Sequence, residues 1–133
     1  SFRCHSLFED NPIIDPFFAK KKAGESGGRH YHFGTDRAKR PETLVLTRGM
    51  MTIDLLFEDG SSQSVSLMAD DREMSAILIP PRVWHETNFL ADCDLLEARS
   101  TVYDVEAEDT YRVSRHDFLA DLAGRSRELV LSI

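Results

Sequence analysis

The sequence predicts an all-β domain, a sandwich or barrel, closed by one short C-terminal helix. Three observations predict it. Short apolar stretches recur between turn signals from residue 42 to residue 99. Met51, Ile53, Leu55 and Phe57 alternate with Thr52, Asp54, Leu56 and Glu58, the period of two that puts successive side chains on opposite faces of a strand. Past residue 113 the pattern becomes helical.

The chain has 133 residues, the size of one domain, so residues 1–133 are read as a single core, whole or excised from a longer chain. Taken in order, Asn11-Pro12 is a turn signal, and Ile13 to Ala19 is an edge strand because Pro16 removes a ladder donor. Gly24 to Gly28 reads as a glycine-rich loop, and Thr35 to Pro41 as a charged, turn-prone one. Glu42 to Arg48 is a strand that turns at Gly49. Asp59-Gly60 is a hairpin turn, since this pair accepts the positive φ angles such turns need. Ser64 to Met68, Ala76 to Ile79, His85 to Leu90 and Leu95 to Arg99 follow as short strands. Ser114 is the expected N-cap of the helix, with Asp117 three residues on. Phe118, Leu119 and Leu122 form its apolar face, and Gly124 its end.

Composition narrows the function. Net charge is -7 and the one basic run is Lys20–Lys22, so a phosphate backbone is repelled and nucleic acid is not an expected partner. No apolar run approaches the ~20 residues of a membrane helix. Cys4 and Cys93 make neither a CxxC pair nor a disulfide framework, and no signal peptide is apparent, so the cytoplasm is the expected compartment.

The chemistry gathers around His30-Tyr31-His32. On a strand, residues i and i+2 share a face, so the two imidazoles can share one metal ion. Glu42 opens the next strand and can return a carboxylate to the same place. His85 follows the tight turn Pro80-Pro81-Arg82-Val83 and can be aimed back inward. Three imidazoles and one carboxylate suit a single divalent transition metal, Zn, Fe, Mn or Ni. Each piece also has a plainer reading: an HxH pair on the surface or in the core, a solvated Glu42, a core His85. Glu97 and Arg99 share a strand face and are candidates for acid–base work and anion binding, or else an exposed ion pair. Tyr103 and Tyr111 read as packing residues, and Glu86 should point away from His85.

The combined spacing resembles the paired motifs of the cupin superfamily. Five residues separate Gly24 from His30 and six separate Glu42 from Gly49, as in the first motif. The nine residues between His32 and Glu42 exceed the pattern and imply an inserted loop. Pro80 and His85 keep the spacing of the second motif, with Arg82 where glycine is expected and Asn88 one residue early. The resemblance implies a single jelly-roll β-barrel with His30, His32, Glu42 and His85 as metal ligands, a small-molecule substrate and a homodimer. In that dimer the apolar Phe2, Phe8, Phe17 and Phe18 cover the chain's own sheet or a partner's, with its own sheet preferred.

Two cupin families are similar over longer stretches. Gly24 to His32, Ile79-Pro80-Pro81-Arg82-Val83-Trp84-His85-Glu86 and the tail (Ser100 to Asp104, Glu108-Asp109, Tyr111, Asp117-Phe118) resemble the WxcM-like sugar-nucleotide 3,4-ketoisomerases. Those enzymes work without a metal through their HxH pair, which would make His32 the general base. They usually lack a histidine at the position of His85. Pro41 to Gly49, Leu56 to Gly60, Trp84-His85 and Leu96 to Arg99 resemble cupin metalloproteins of lipopolysaccharide gene clusters, which keep metal ligands. The resemblance implies an isomerase-like enzyme acting on a carbonyl compound such as a keto sugar nucleotide. The alternatives are a Zn- or Fe-dependent cupin of specialised-metabolite biosynthesis (rearrangement, N–N bond formation or oxygenation) and a non-catalytic ligand-binding cupin.

Overall fold

The computed structural model describes residues 15–34, 41–99 and 110–132. Nine strands and one helix are present among them: β1 Asp15–Lys21, β2 Ser26–His32, β3 Glu42–Arg48, β4 Met50–Leu56, β5 Ser62–Met68, β6 Ala76–Ile79, β7 Trp84–Phe89, β8 Cys93–Arg99, β9 Thr110–Arg112 and α1 Phe118–Leu131. They form two antiparallel sheets, ordered β1-β8-β3-β6 and β5-β4-β7-β2-β9. This is a cupin-like arrangement of two facing sheets; among the described residues the strand pairing does not close them into the single jelly-roll barrel that the resemblance implies. β1 lies at a sheet edge, where Pro16 is tolerated.

The inward rows follow the alternation read from sequence. Leu44, Leu46, Met51, Ile53, Leu55, Leu67, Ile79, Phe89 and Leu95 bury one continuous core between the sheets. A second apolar cluster lies on the outer side of the five-stranded sheet, where Tyr31, Phe33, Leu56 and Trp84 meet Phe118 and Leu122 of α1. The Trp84 indole N–H donates to the Val113 carbonyl at 2.8 Å, so the ring is buried with its polar atom satisfied. The Tyr31 hydroxyl donates to Asp121 at 2.6 Å, and Asp121 pairs with Arg125 one turn on. Burial alone would push the Asp121 carboxyl up, but the Arg125 and Tyr31 donors outweigh it and hold the group below its usual range.

Four sequence expectations change. Ser26, Gly27 and Gly28 belong to β2 rather than to a loop. The helix passes through Gly124 and continues to Leu131. The ~1 kcal/mol penalty of a helical glycine is opposed by the i,i+4 Asp121–Arg125 pair and by the burial of Phe118 and Leu122 against the sheet. Asp117, not Ser114, is the N-cap; Ser114 caps the turn just before it, its Oγ accepting from the Asp117 N–H at 3.1 Å. Phe17 and Phe18 stay 61% and 71% exposed, so they do not cover their own sheet among the described residues. Phe2, Phe8, Tyr103, the stretch 35–40 and the acidic tail to residue 109 lie outside the described residues. No described helix is long and apolar enough to cross a membrane.

Candidate metal centre

A β-bulge in β2 builds the site. Gly28 lies opposite Glu86 and His30 opposite His85, which leaves Arg29 as an extra residue on the bulged strand. In unbroken register His30 would lie opposite Trp84, its side chain would turn to the outer surface, and Tyr31 would turn inward. Gly28 and Arg29 both take positive φ, +77° and +58°. A Cβ on Gly28 would lie 2.7 Å from the His85 carbonyl oxygen, so only glycine allows β2 and β7 to approach this closely. The glycines ahead of the HxH pair are therefore part of the site's construction. Arg29 is held outside by Glu86 at 2.6 Å, and Glu86 faces away from His85 as expected.

The turn before His85 is equally specific. Pro81 is followed by Arg82 at φ +67°, the pattern of a type II turn. This explains why glycine was expected at that position. Arg82 keeps the strained conformation, which costs ~1–2 kcal/mol, while its side chain bonds Glu58 at 2.8 Å and Ser126 at 3.0 Å. Its backbone N–H donates to the His32 carbonyl at 2.6 Å, so the turn carrying His85 is tied to the strand carrying His32.

These devices bring His30, His32, Glu42 and His85 together, with one ligand atom from each inside a 4.8 Å span. The His32 Nε2–H donates to Glu42 Oε2 at 2.8 Å, and His85 Nε2 lies 3.7 Å from the same oxygen. Glu42 and His85 are 7% and 3% exposed. A carboxylate so buried requires cationic or hydrogen-bonding partners, and here imidazoles supply them. The His85 Nδ1–H donates to the Val83 carbonyl at 3.2 Å, which leaves its Nε2 lone pair facing the cluster. His30 Nε2 is buried without a hydrogen-bond partner among the described residues. Burial, then the neighbouring His85 and His32, push the His30 imidazole down to about 3, so it is neutral near pH 7 as a metal ligand must be. A buried nitrogen without a partner, three imidazoles and one buried carboxylate fit a divalent transition metal.

The remaining candidates sit on β8. Glu97 pairs with Leu44 and continues the inward row of Cys93 and Leu95, so it faces between the sheets, two strand positions from Glu42. Arg99 ends the same strand, paired with Asp15 at the sheet edge. Tyr111 is a packing residue: its ring lies tilted against Tyr31, centroids 5.6 Å apart, and carries the Arg125 guanidinium 3.6 Å from its centroid.

Sequence reasoning missed two neighbours of the histidines. Thr110 and Arg112 on β9 lie opposite His32 and His30. The Thr110 hydroxyl is 3.0 Å from His32 Nδ1, and Arg112 Nη1 is 3.4 Å from His30 Nδ1. The β-prone run Thr110-Tyr111-Arg112-Val113 was the available signal.

No protein-family model and no curated protein matches the chain. Solved structures do. The capsular polysaccharide assembling protein CapF of Staphylococcus aureus superposes with a TM-score of 0.64 at 17% identity over 80% of this chain, which spans 33% of CapF. The sugar 3,4-ketoisomerase QdtA of Thermoanaerobacterium thermosaccharolyticum, solved with TDP, gives 0.62 at 24% identity over 84% of this chain and 74% of its own. A dTDP-4-dehydrorhamnose 3,5-epimerase of Sulfolobus tokodaii gives 0.61 at 16% identity, covering 80% and 60%. By fold, the neighbours of this chain are the cupin sugar-nucleotide enzymes, 3,4-ketoisomerases and epimerases among them.

Proposed function

We propose that this chain is a metal-binding cupin enzyme that isomerises a small carbonyl compound such as a keto sugar nucleotide. One observation carries the metal: the His30–His32–Glu42–His85 cluster, buried between sheets shared in fold with sugar 3,4-ketoisomerases. Bound there, a divalent ion would supply Lewis-acid polarisation of a carbonyl oxygen. The chain's own residues would do the rest. His30, His32, Glu42 and His85 hold the ion, with His85 oriented by Val83. Glu97, on the facing strand of the inward row, is the acid–base candidate for moving a proton beside the carbonyl. Arg99 is the candidate for an anionic substituent of the substrate.

A second, metal-free reading rests on the 2.8 Å contact between His32 and Glu42. In it the Glu42 carboxylate orients His32, which acts as general base.

Elemental analysis of protein purified without added metal or chelator separates the two, beside a His85→Ala variant. About one equivalent of metal in the wild type, lost in the variant, is the expected result. A wild type that takes up no metal after loading would overturn the metal reading and leave the His32–Glu42 pair.

A further inference from the structure

The outer nitrogens of the three imidazoles meet three different kinds of partner. His85 Nδ1 faces the Val83 carbonyl, which can only accept. His30 Nδ1 faces the Arg112 guanidinium, which can only donate, at a long 3.4 Å, and a metal on His30 Nε2 would place the proton on Nδ1 and give up that contact. His32 Nδ1 faces the Thr110 hydroxyl at 3.0 Å, which can do either. The difference matters because His32 is the imidazole whose Nε2 contacts Glu42 at 2.8 Å. With the proton on Nε2 and donated to Glu42, Nδ1 is an acceptor and the hydroxyl donates to it. With the Nε2 lone pair turned to a metal, Nδ1 carries the proton and the hydroxyl accepts it.

We infer that Thr110 is the positioning residue of the site, holding the His32 ring in one orientation through both tautomers. It is placed for this by β9, whose Thr110 pairs with His32 and whose Tyr111 packs on Tyr31. Through Tyr31 and Asp121 the same unit is joined to α1. The C-terminal segment therefore reaches two of the imidazoles, His32 through the Thr110 hydroxyl at 3.0 Å and His30 through the Arg112 guanidinium at 3.4 Å. Partners of this kind on a ligating histidine commonly set metal affinity by 10- to 100-fold.

This inference rests on the metal reading above, and its test separates the two. Thr110→Val removes the hydroxyl at nearly constant shape, and Thr110→Ser restores it. Zn(II) affinity is measured by chelator competition, and the imidazole nitrogens of metal-free wild type and both variants by long-range ¹H–¹⁵N correlation. Thermal unfolding confirms that the variants are folded. The expected result is Zn(II) binding at least ~10-fold weaker in Thr110→Val and close to wild type in Thr110→Ser. The His32 Nδ1 resonance should move in the valine variant alone. If wild type binds no Zn(II) but Nδ1 still moves with valine, the metal reading falls and the positioning contact stands. Unchanged affinity with an unmoved Nδ1 would overturn the inference while the metal reading stands.

Discussion

The two faces of the five-stranded sheet are made from alternate residues of the same strands and have opposite chemistry. On β2, His30 and His32 point between the sheets while Tyr31 points to α1; on β7, His85 points inward and Trp84 outward. The outer face is an ordinary apolar seam in which every buried polar atom named above is satisfied, Trp84 by Val113 and Tyr31 by Asp121. The inner face carries three imidazoles that meet the Glu42 carboxylate of the facing sheet, with Glu42 and His85 at 7% and 3% exposure, and leaves His30 Nε2 without a partner among the described residues. Seams of the first kind stabilise a fold, whereas clusters of the second cost stability and persist where they hold a ligand. The apolar face anchors the polar one.

That division can be broken in three ways. The largest effect is expected from Phe118→Ala. Its ring is fully buried between Tyr31 and the sheet, so unfolding in urea should lose about 3–5 kcal/mol. If the two faces are separable, the folded variant keeps the wild-type metal-to-protein ratio; a lost metal would show that the seam shapes the site directly. Gly28→Ala should strike both faces at once. The added Cβ meets the His85 carbonyl oxygen at a positive φ, so a loss of about 2 kcal/mol is expected, together with weaker metal binding. Unaltered metal binding would mean that the bulge tolerates a side chain and that the register of β2 is held elsewhere.

The smallest effect concerns the Tyr31–Asp121–Arg125 link. The folded Asp121 carboxyl is held below its ordinary value of 3.8. Its contribution is therefore complete above about pH 4 and is lost as pH falls through the depressed folded value. Asp121→Asn should cost about 1 kcal/mol near neutrality, a figure reduced for partial solvent exposure. Its thermal stability should also fall less steeply than that of the wild type on acidification below about pH 4. Parallel acid profiles for the two proteins would show that the carboxylate is not what joins α1 to the sheet.

Much of this was legible in the sequence because it obeys local rules. The strands from β3 to β8 follow from alternation, Asp59-Gly60 and the Pro80-Pro81 stop. His30, His32, Glu42 and His85 follow from a same-face pair and the starts of two strands. What could not be read depends on partners distant in sequence. Glycines favour loops in isolation, so Gly27 and Gly28 became strand only because β7 needs a close neighbour. A bulge is a relation between two strands, and neither sequence alone contains it. Three-residue β9 is too short for periodicity, and with it went Thr110. The helix outlasts Gly124 because the Asp121–Arg125 pair spans it and the buried Phe118 and Leu122 anchor the helix to the sheet.

The extra residue at Arg29 makes the site a matter of parity rather than distance. His32 and Glu42 are ten positions apart along the chain and still meet at 2.8 Å, so the connection between them can vary in length while its two ends stay fixed. Within β2 the face of each side chain depends on the bulge. Were the intact strand to pair with β7 in unbroken register beyond Gly28, odd and even positions would exchange, carrying both imidazoles to the helix side and Tyr31 into the cleft. Related chains should therefore differ freely in the length of the first segment, and in the second should keep the extra residue and the bulge together or lack both.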